Sequence, residues 1–245
     1  MELSTEQLDR FRRDGFLLLR NFASETLCDQ IREAALEEIE RAAPPIETEE
    51  EYQGMPQGSR TTLRRLRQVY HRHPSFRHWM HNEEIRPILE QLLKEPPVLT
   101  LAHHNSIMTK MPRHSTETCW HQDIRYWRFS DSNLLSVWLA LGEERMENGL
   151  LEFIPGSHLL DLKPGQFDEK ICFREDLPEN GKILKERIHY TLQKGDVVLF
   201  HALTLHHAYE NRTDKPKISF VYTVRGESTR PIPNTRSAEG EEVPL

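Results

Sequence analysis

Hydrophobic positions in the first hundred residues recur mostly at helical spacing. Ser4 followed by Gln7 forms a capping box for a short helix that stops at Gly15, and "FLLLRNF" then reads as a short buried strand. Ser24 caps a longer helix in which Leu27, Ile31, Ala34, Ala35 and Ile39 share one face, and Pro44-Pro45 ends it. "IETEEEYQGMPQGS" has no periodicity and mixes an acidic run with Gly and Pro, which predicts a mobile loop. Asn82 caps a further helix to about Lys94, closed by Pro96-Pro97. The pattern then changes. "VLTLAHHNSIMTK", "LLSVWLALG", "GLLEFIPGS", "RIHYTLQKGDVVLFHALTLHHAY" and "KISFVYTVRG" are β-type runs separated by turn residues. Helices first and strands later predict a mainly β fold with α, a sandwich with helices packed on one face. A single domain over 1–245 follows from the length, with a helical part to about 95, a β core over about 96–228 and a tail over 229–245.

Composition narrows the function classes. A formal charge of −7 argues against a general nucleic-acid binder, which needs a basic face to release counterions from phosphate. Cys28, Cys119 and Cys172 are odd in number and widely spaced, which predicts neither a disulfide framework nor a zinc knuckle and fits a reducing cytosol. The polar start "MELSTEQLDRFRRDG" and the lack of any apolar run near 18 residues predict a soluble, cytoplasmic protein, at most peripheral to a membrane. Nothing in the pattern specifies an oligomer. The basic stretch from Arg60 to His81 reads either as a solvated helical face balancing the acidic loop or as an anion-binding segment.

The candidate chemistry begins at "WHQD". Two positions apart on a strand, His121 and Asp123 project to one face, so an imidazole nitrogen and a carboxylate oxygen can reach one ion. Among thirteen histidines such a pair also arises by chance, as a hydrogen-bonded polar pair. The apolar run "GDVVLFHALTLHHAYENRT" supplies a third donor from His201, His206 or His207. Two imidazoles and one carboxylate on one face of an iron ion leave three positions for a bidentate co-substrate and oxygen.

Several separated segments, "LDRFRRDGFLLLRNF", "WHQD", "VWLAL", "NGLLEFIPGSH" and "GDVVLFHALTLHHAYENRT", resemble the phytanoyl-CoA dioxygenase family across nearly the whole chain. The resemblance implies a double-stranded β-helix (jelly roll) with extra N-terminal helices, Fe(II) held by His121, Asp123 and His206, and 2-oxoglutarate and O2 as co-substrates. His201, His207 and His158 then become core or supporting histidines. Where the family places an arginine for the distal carboxylate of 2-oxoglutarate, this chain has Lys217, with Ser219 two residues on. A lysine supplies the charge without the bidentate fork, so Arg225 on the same strand parity stands as the alternative clamp. Trp138 resembles the family's pocket-wall tryptophan, with core packing as its plain reading, and Thr118 and Lys110 are weaker candidates for hydrogen bonds to bound acids. The carboxylate ligand Asp123 favours hydroxylation over halogenation. A zinc hydrolase lacks a companion base such as H-E-x-x-H, and a non-catalytic jelly-roll binding module rests only on the Lys217 departure. For the substrate, Arg64, Arg67, Arg125 and Arg128 suggest an anion. "HHNSIMTKMP" followed by "WHQDIRYW" resembles bacterial members that hydroxylate C3 of the acidic sugar Kdo in the lipopolysaccharide inner core, at the inner-membrane face. A small soluble metabolite or an acyl-CoA is the competing expectation.

Overall fold

The computed structural model describes residues 1–54 and 62–245. In chain order the elements are α1 (Thr5–Asp14), β1 (Phe16–Leu19), α2 (Glu25–Arg41), β2 (Ile46–Thr48), α3 (Glu49–Gln53), β3 (Leu63–Arg67), α4 (Pro74–Met80), α5 (Arg86–Leu93), β4 (Pro97–Thr100), β5 (Asn105–Lys110), β6 (Thr118–His121), β7 (Leu134–Ala140), β8 (Leu151–Phe153), α6 (Pro178–Leu184), β9 (Ile188–His189), β10 (Val197–His201), β11 (His206–Ala208), β12 (Lys217–Gly226) and β13 (Glu242–Pro244). The strands form two antiparallel sheets. The major one runs β1-β10-β7-β12-β5-β3-β2, with β4 on β12 and β13 on β4, and the minor one runs β6-β11-β8-β9.

Alternation along the major-sheet strands divides the core. Val137, Leu139, Leu199, Ile218, Phe220 and Tyr222 join the helical residues Ile31, Ala35, Phe76, Trp79 and Ile88 on one side. Their neighbours Trp138, Ala140, Val198, Phe200 and Val221 face the other way, onto Leu151, Phe153 and Ala208 of the minor sheet. Period-two side-chain placement therefore gives one sheet two buried faces: helices cover the first and the minor sheet covers the second. This is the expected jelly roll with helices on one face.

Several expectations need correction. Part of the acidic stretch read as a loop is ordered: Ile46 pairs with Leu66 at the sheet edge, and Thr48 and Glu51 build a capping box for α3. The pattern was invisible because three strand residues are too few to show alternation. The basic stretch is no continuous helical face either, since Leu63–Arg67 is strand and helix is confined to a 3-10 turn at Val69–His71 and to Pro74–Met80; Arg60 lies outside the described residues. The Asn82 side chain accepts from the amides of Glu84 and Ile85, and the helix proper begins at Arg86. The helical N-terminal part contributes three strands to the major sheet, and the tail docks through β13 onto β4. Cys119 and Cys172 form a disulfide, and only Cys28 is free. Fifty-odd intervening residues concealed a partner that the fold brings beside β6, and the cysteine argument for a reducing compartment falls with it. Among the described residues no helix is long and apolar enough to cross a membrane.

Candidate metal centre and its cavities

β6 and β11 lie side by side in the minor sheet with His121 and His206 as direct partners. β6 ends at His121, so Asp123 is not on the strand as expected but opens a short 3-10 turn over Asp123–Tyr126. The turn nevertheless brings its carboxylate back. Asp123 Oδ1 lies 3.7 Å from His121 Nε2 and 3.7 Å from His206 Nε2, and donor atoms of all three lie within 4.8 Å of one another.

The tautomers are set by neighbours. His121 Nδ1 donates to the Cys119 carbonyl at 2.7 Å and His206 Nδ1 donates to the Thr204 carbonyl at 3.0 Å. Each ring therefore turns an unprotonated Nε2 toward Asp123. Burial pushes His121 down to about 3, with His206 adding to the effect, and burial lowers His206 as well. Burial alone would raise Asp123, but His104 and His206 hold it well below the ordinary carboxylate range. Two neutral imidazoles and one carboxylate form a donor set suited to Fe(II), so the residues fit the implied metal. Ser136 Oγ donates to Asp123 Oδ2 at 2.9 Å, and His104 Nε2 donates to Oδ1 at 3.1 Å. Neither supporting residue was foreseen from sequence. His104 sits in "AHHNS", which carries no spacing signal of its own.

His207 faces away, as strand alternation requires. Its Nε2 pairs with Glu117 at 2.7 Å and its ring stacks on Trp120. His201 accepts from the Leu203 amide and His158 packs beside it, so both serve structural roles.

Two spaces adjoin the centre. An inner cavity of about 60 Å³ is walled by His121, His206, Lys110, Lys217, Trp138 and apolar side chains. An outer cleft of about 920 Å³ shares His104, His121, Thr118 and Arg64 with it and continues past Arg67, Trp127, Lys170 and Arg236. Lys217 thus reaches the inner cavity, but its ammonium already pairs with Glu144 at 3.1 Å. Glu144 also accepts from Ser219 Oγ at 2.6 Å and Trp138 Nε1 at 3.0 Å. Arg225 does not reach the site. It pairs with Glu242 and donates to the Gly226 and Glu227 carbonyls, eight strand positions or roughly 26 Å beyond Lys217. Shared strand parity misled because parity fixes the face and not the distance along it.

Of the arginines expected to meet substrate, Arg125 donates to Gln122 and Leu162 and lies over the Phe167 ring, while Arg128 donates to the Arg125 and Trp127 carbonyls. Neither lines the cleft. Arg64 forms part of the partition between the two spaces, bound to Glu49 at 2.9 Å and Thr118 at 2.7 Å with Tyr52 over its guanidinium. Arg67 lines the cleft, and Arg236, which the sequence reading missed in the tail, lies close enough for the Arg67 charge to lower its proton affinity, after burial as the larger cause.

A jelly roll carrying a histidine–aspartate–histidine cluster beside an inner cavity has the donor set of a mononuclear metal centre. The family profile for phytanoyl-CoA dioxygenase matches residues 11–219, and the chain belongs to that family. It is 32% identical over 124 residues to peroxisomal phytanoyl-CoA dioxygenase of Homo sapiens (46% of this chain, 36% of that protein) and 27% identical over 231 residues to that of Rattus norvegicus (86% and 65%). The chain thus spans under two thirds of the length of these relatives. A phytanoyl-CoA dioxygenase domain-containing protein 1 from Bos taurus is 23% identical over 269 residues, covering 90% of this chain and 89% of its own. The fold is shared with the non-haem α-ketoglutarate-dependent carbocyclase SnoK (TM-score 0.75, 22% identity, 99% and 93% of the two chains). It is shared too with EctD from S. alaskensis bound to 2-oxoglutarate and 5-hydroxyectoine (TM-score 0.78, 21% identity, 94% and 78%).

Proposed function

We propose that the protein is an Fe(II)- and 2-oxoglutarate-dependent dioxygenase that hydroxylates a C–H bond of an anionic substrate. The convergence of His121, Asp123 and His206 on one point, beside a cavity with buried cations, carries this reading. Bound iron and 2-oxoglutarate would supply the oxidising chemistry, in which the co-substrate leaves as succinate and CO2. The chain supplies the rest. The Cys119 and Thr204 carbonyls fix the two imidazoles, Ser136 and His104 fix the Asp123 carboxylate, and the apolar inner wall excludes water. Arg67, Arg236 and Lys170 would draw an anion into the outer cleft, where a target C–H bond can approach the centre.

Within that class we read the substrate as Kdo of the lipopolysaccharide inner core, on the likeness of "HHNSIMTKMP" and "WHQDIRYW" to Kdo-hydroxylating members and on the cationic cleft. The family's name supplies an acyl-CoA as the second reading. Purified iron-loaded protein should form succinate from 2-oxoglutarate, and the His206→Ala variant should form none. Mass spectrometry of lipid A–Kdo from cells with and without the protein should show a gain of one oxygen on Kdo. An unchanged lipid alongside substrate-stimulated succinate formation with an acyl-CoA would transfer the assignment to the second reading.

A further inference from the structure

Among the described residues, one cation on the inner cavity makes no ion pair. Lys110 and Lys217 are direct partners across β5 and β12, both line the cavity, and they are only 6% and 4% exposed. The Lys217 ammonium is met by Glu144, which is completely buried and held in place by Ser219 and Trp138. Arg64 is met by Glu49. Lys110 has only neutral partners among the described residues, donating to the Thr116 carbonyl and to the Thr118 hydroxyl at 3.3 Å. The segment outside the described residues, "MPQGSRT", contains no acid that could serve it.

Building on the function proposed above, we propose that Lys110, with Thr118 beside it, takes the distal carboxylate of 2-oxoglutarate, and that Glu144 is a resident carboxylate committed to Lys217. If the keto-acid end of the co-substrate turns to the histidine–aspartate cluster, one carboxylate remains, and one ammonium lacks a counter-charge. Placing that carboxylate on Lys217 would crowd two anions around a single buried cation while leaving a second buried cation uncompensated. Burial, then the charges of Arg64 and Lys217, depress the proton affinity of Lys110 more than Glu49 and Glu117 restore it without pairing with it, a cost that an incoming carboxylate offsets. Glu144 therefore converts the family's clamp position from a ligand group into a structural one and shifts recognition one strand over, onto β5. The site selects 2-oxo acids that carry a second carboxylate over those that do not.

Anaerobic calorimetry on the iron-loaded full chain, titrated with 2-oxoglutarate and with pyruvate, tests this. The wild-type protein should prefer 2-oxoglutarate. Lys110→Met should weaken 2-oxoglutarate by about 10- to 100-fold and leave pyruvate unchanged, since it removes one charge-assisted hydrogen bond in a buried site. Lys110→Arg should restore much of the preference. Because Lys217→Met alone strands the buried Glu144, the matching variant is Lys217→Met with Glu144→Gln, which keeps the pocket neutral and should keep the preference. Loss of preference in that double variant with retention in Lys110→Met overturns the assignment of Lys110 and leaves the dioxygenase reading standing. A wild-type protein that binds neither acid overturns the dioxygenase reading itself.

Discussion

His206 and His207 are consecutive, both buried and both imidazoles, yet only one turns its Nε2 toward Asp123. The other is held by Glu117 and Trp120 on the opposite face. Equilibrium dialysis against Fe(II) should therefore show binding lost in His121→Ala, Asp123→Ala and His206→Ala and kept in His207→Ala; equal loss in the two neighbours would refute the assignment. The pair His121 and Asp123 was legible because both residues stand within one short motif. His206 was legible only through the family resemblance, by its place in the pattern behind "GDVVLFH". His104 and Glu144 were not, because what brings them to Asp123 and Lys217 is contact between distant segments, for which the chain carries no local signature.

At the level of elements, the junction between α1 and β1 has more influence on the centre than its place in the chain suggests. Gly15 ends α1 at φ 83°, its carbonyl accepts from the Thr204 hydroxyl and the His201 amide, and a Cβ there would run into the His158 ring and the Thr204 hydroxyl. Thr204 in turn anchors His206. Gly15→Ala should cost about 1–3 kcal/mol in urea unfolding and weaken metal retention in parallel. The disulfide makes a second such tie, joining β6 to the turn before Phe173, whose amide also bonds the Trp120 carbonyl. It closes a loop with a sequence separation of 53 residues, so Cys172→Ser should lower the unfolding free energy by about 2–4 kcal/mol relative to the oxidised protein. The long β-runs of the second half were readable from alternation and turn residues. The ends of β2, β9 and β13 were not, since strands of two or three residues owe their existence to the edge they join.

For the molecule as a whole, half-buried neutral histidines make stability fall on the acid side. Burial pushes His201 from 6.5 to about 4 and His103 from 6.5 to about 3. The folded chain binds these protons less readily than the unfolded one, so the stabilisation is complete above pH 6.5 and is lost as pH falls through that value toward 4. Urea midpoints should drop between about pH 7.5 and about pH 5, and His201→Asn should flatten part of that drop. The mainly β sandwich and its helical cover followed from periodicity repeated over many residues, and the jelly-roll form from the family resemblance; the docking of the tail depends on a single three-residue pairing. The pairing of β6 with β11 also has a consequence in time. Its donors come from residues 121 and 206, joined by one of the most non-local contacts in the sheet. Such contacts form late, because loop closure is slow to be rewarded. A chain emerging from synthesis or from denaturant therefore carries scattered imidazoles and no chelate, and metal capture becomes the last event of assembly: stopped-flow uptake of Fe(II) during refolding should lag behind the recovery of tryptophan fluorescence.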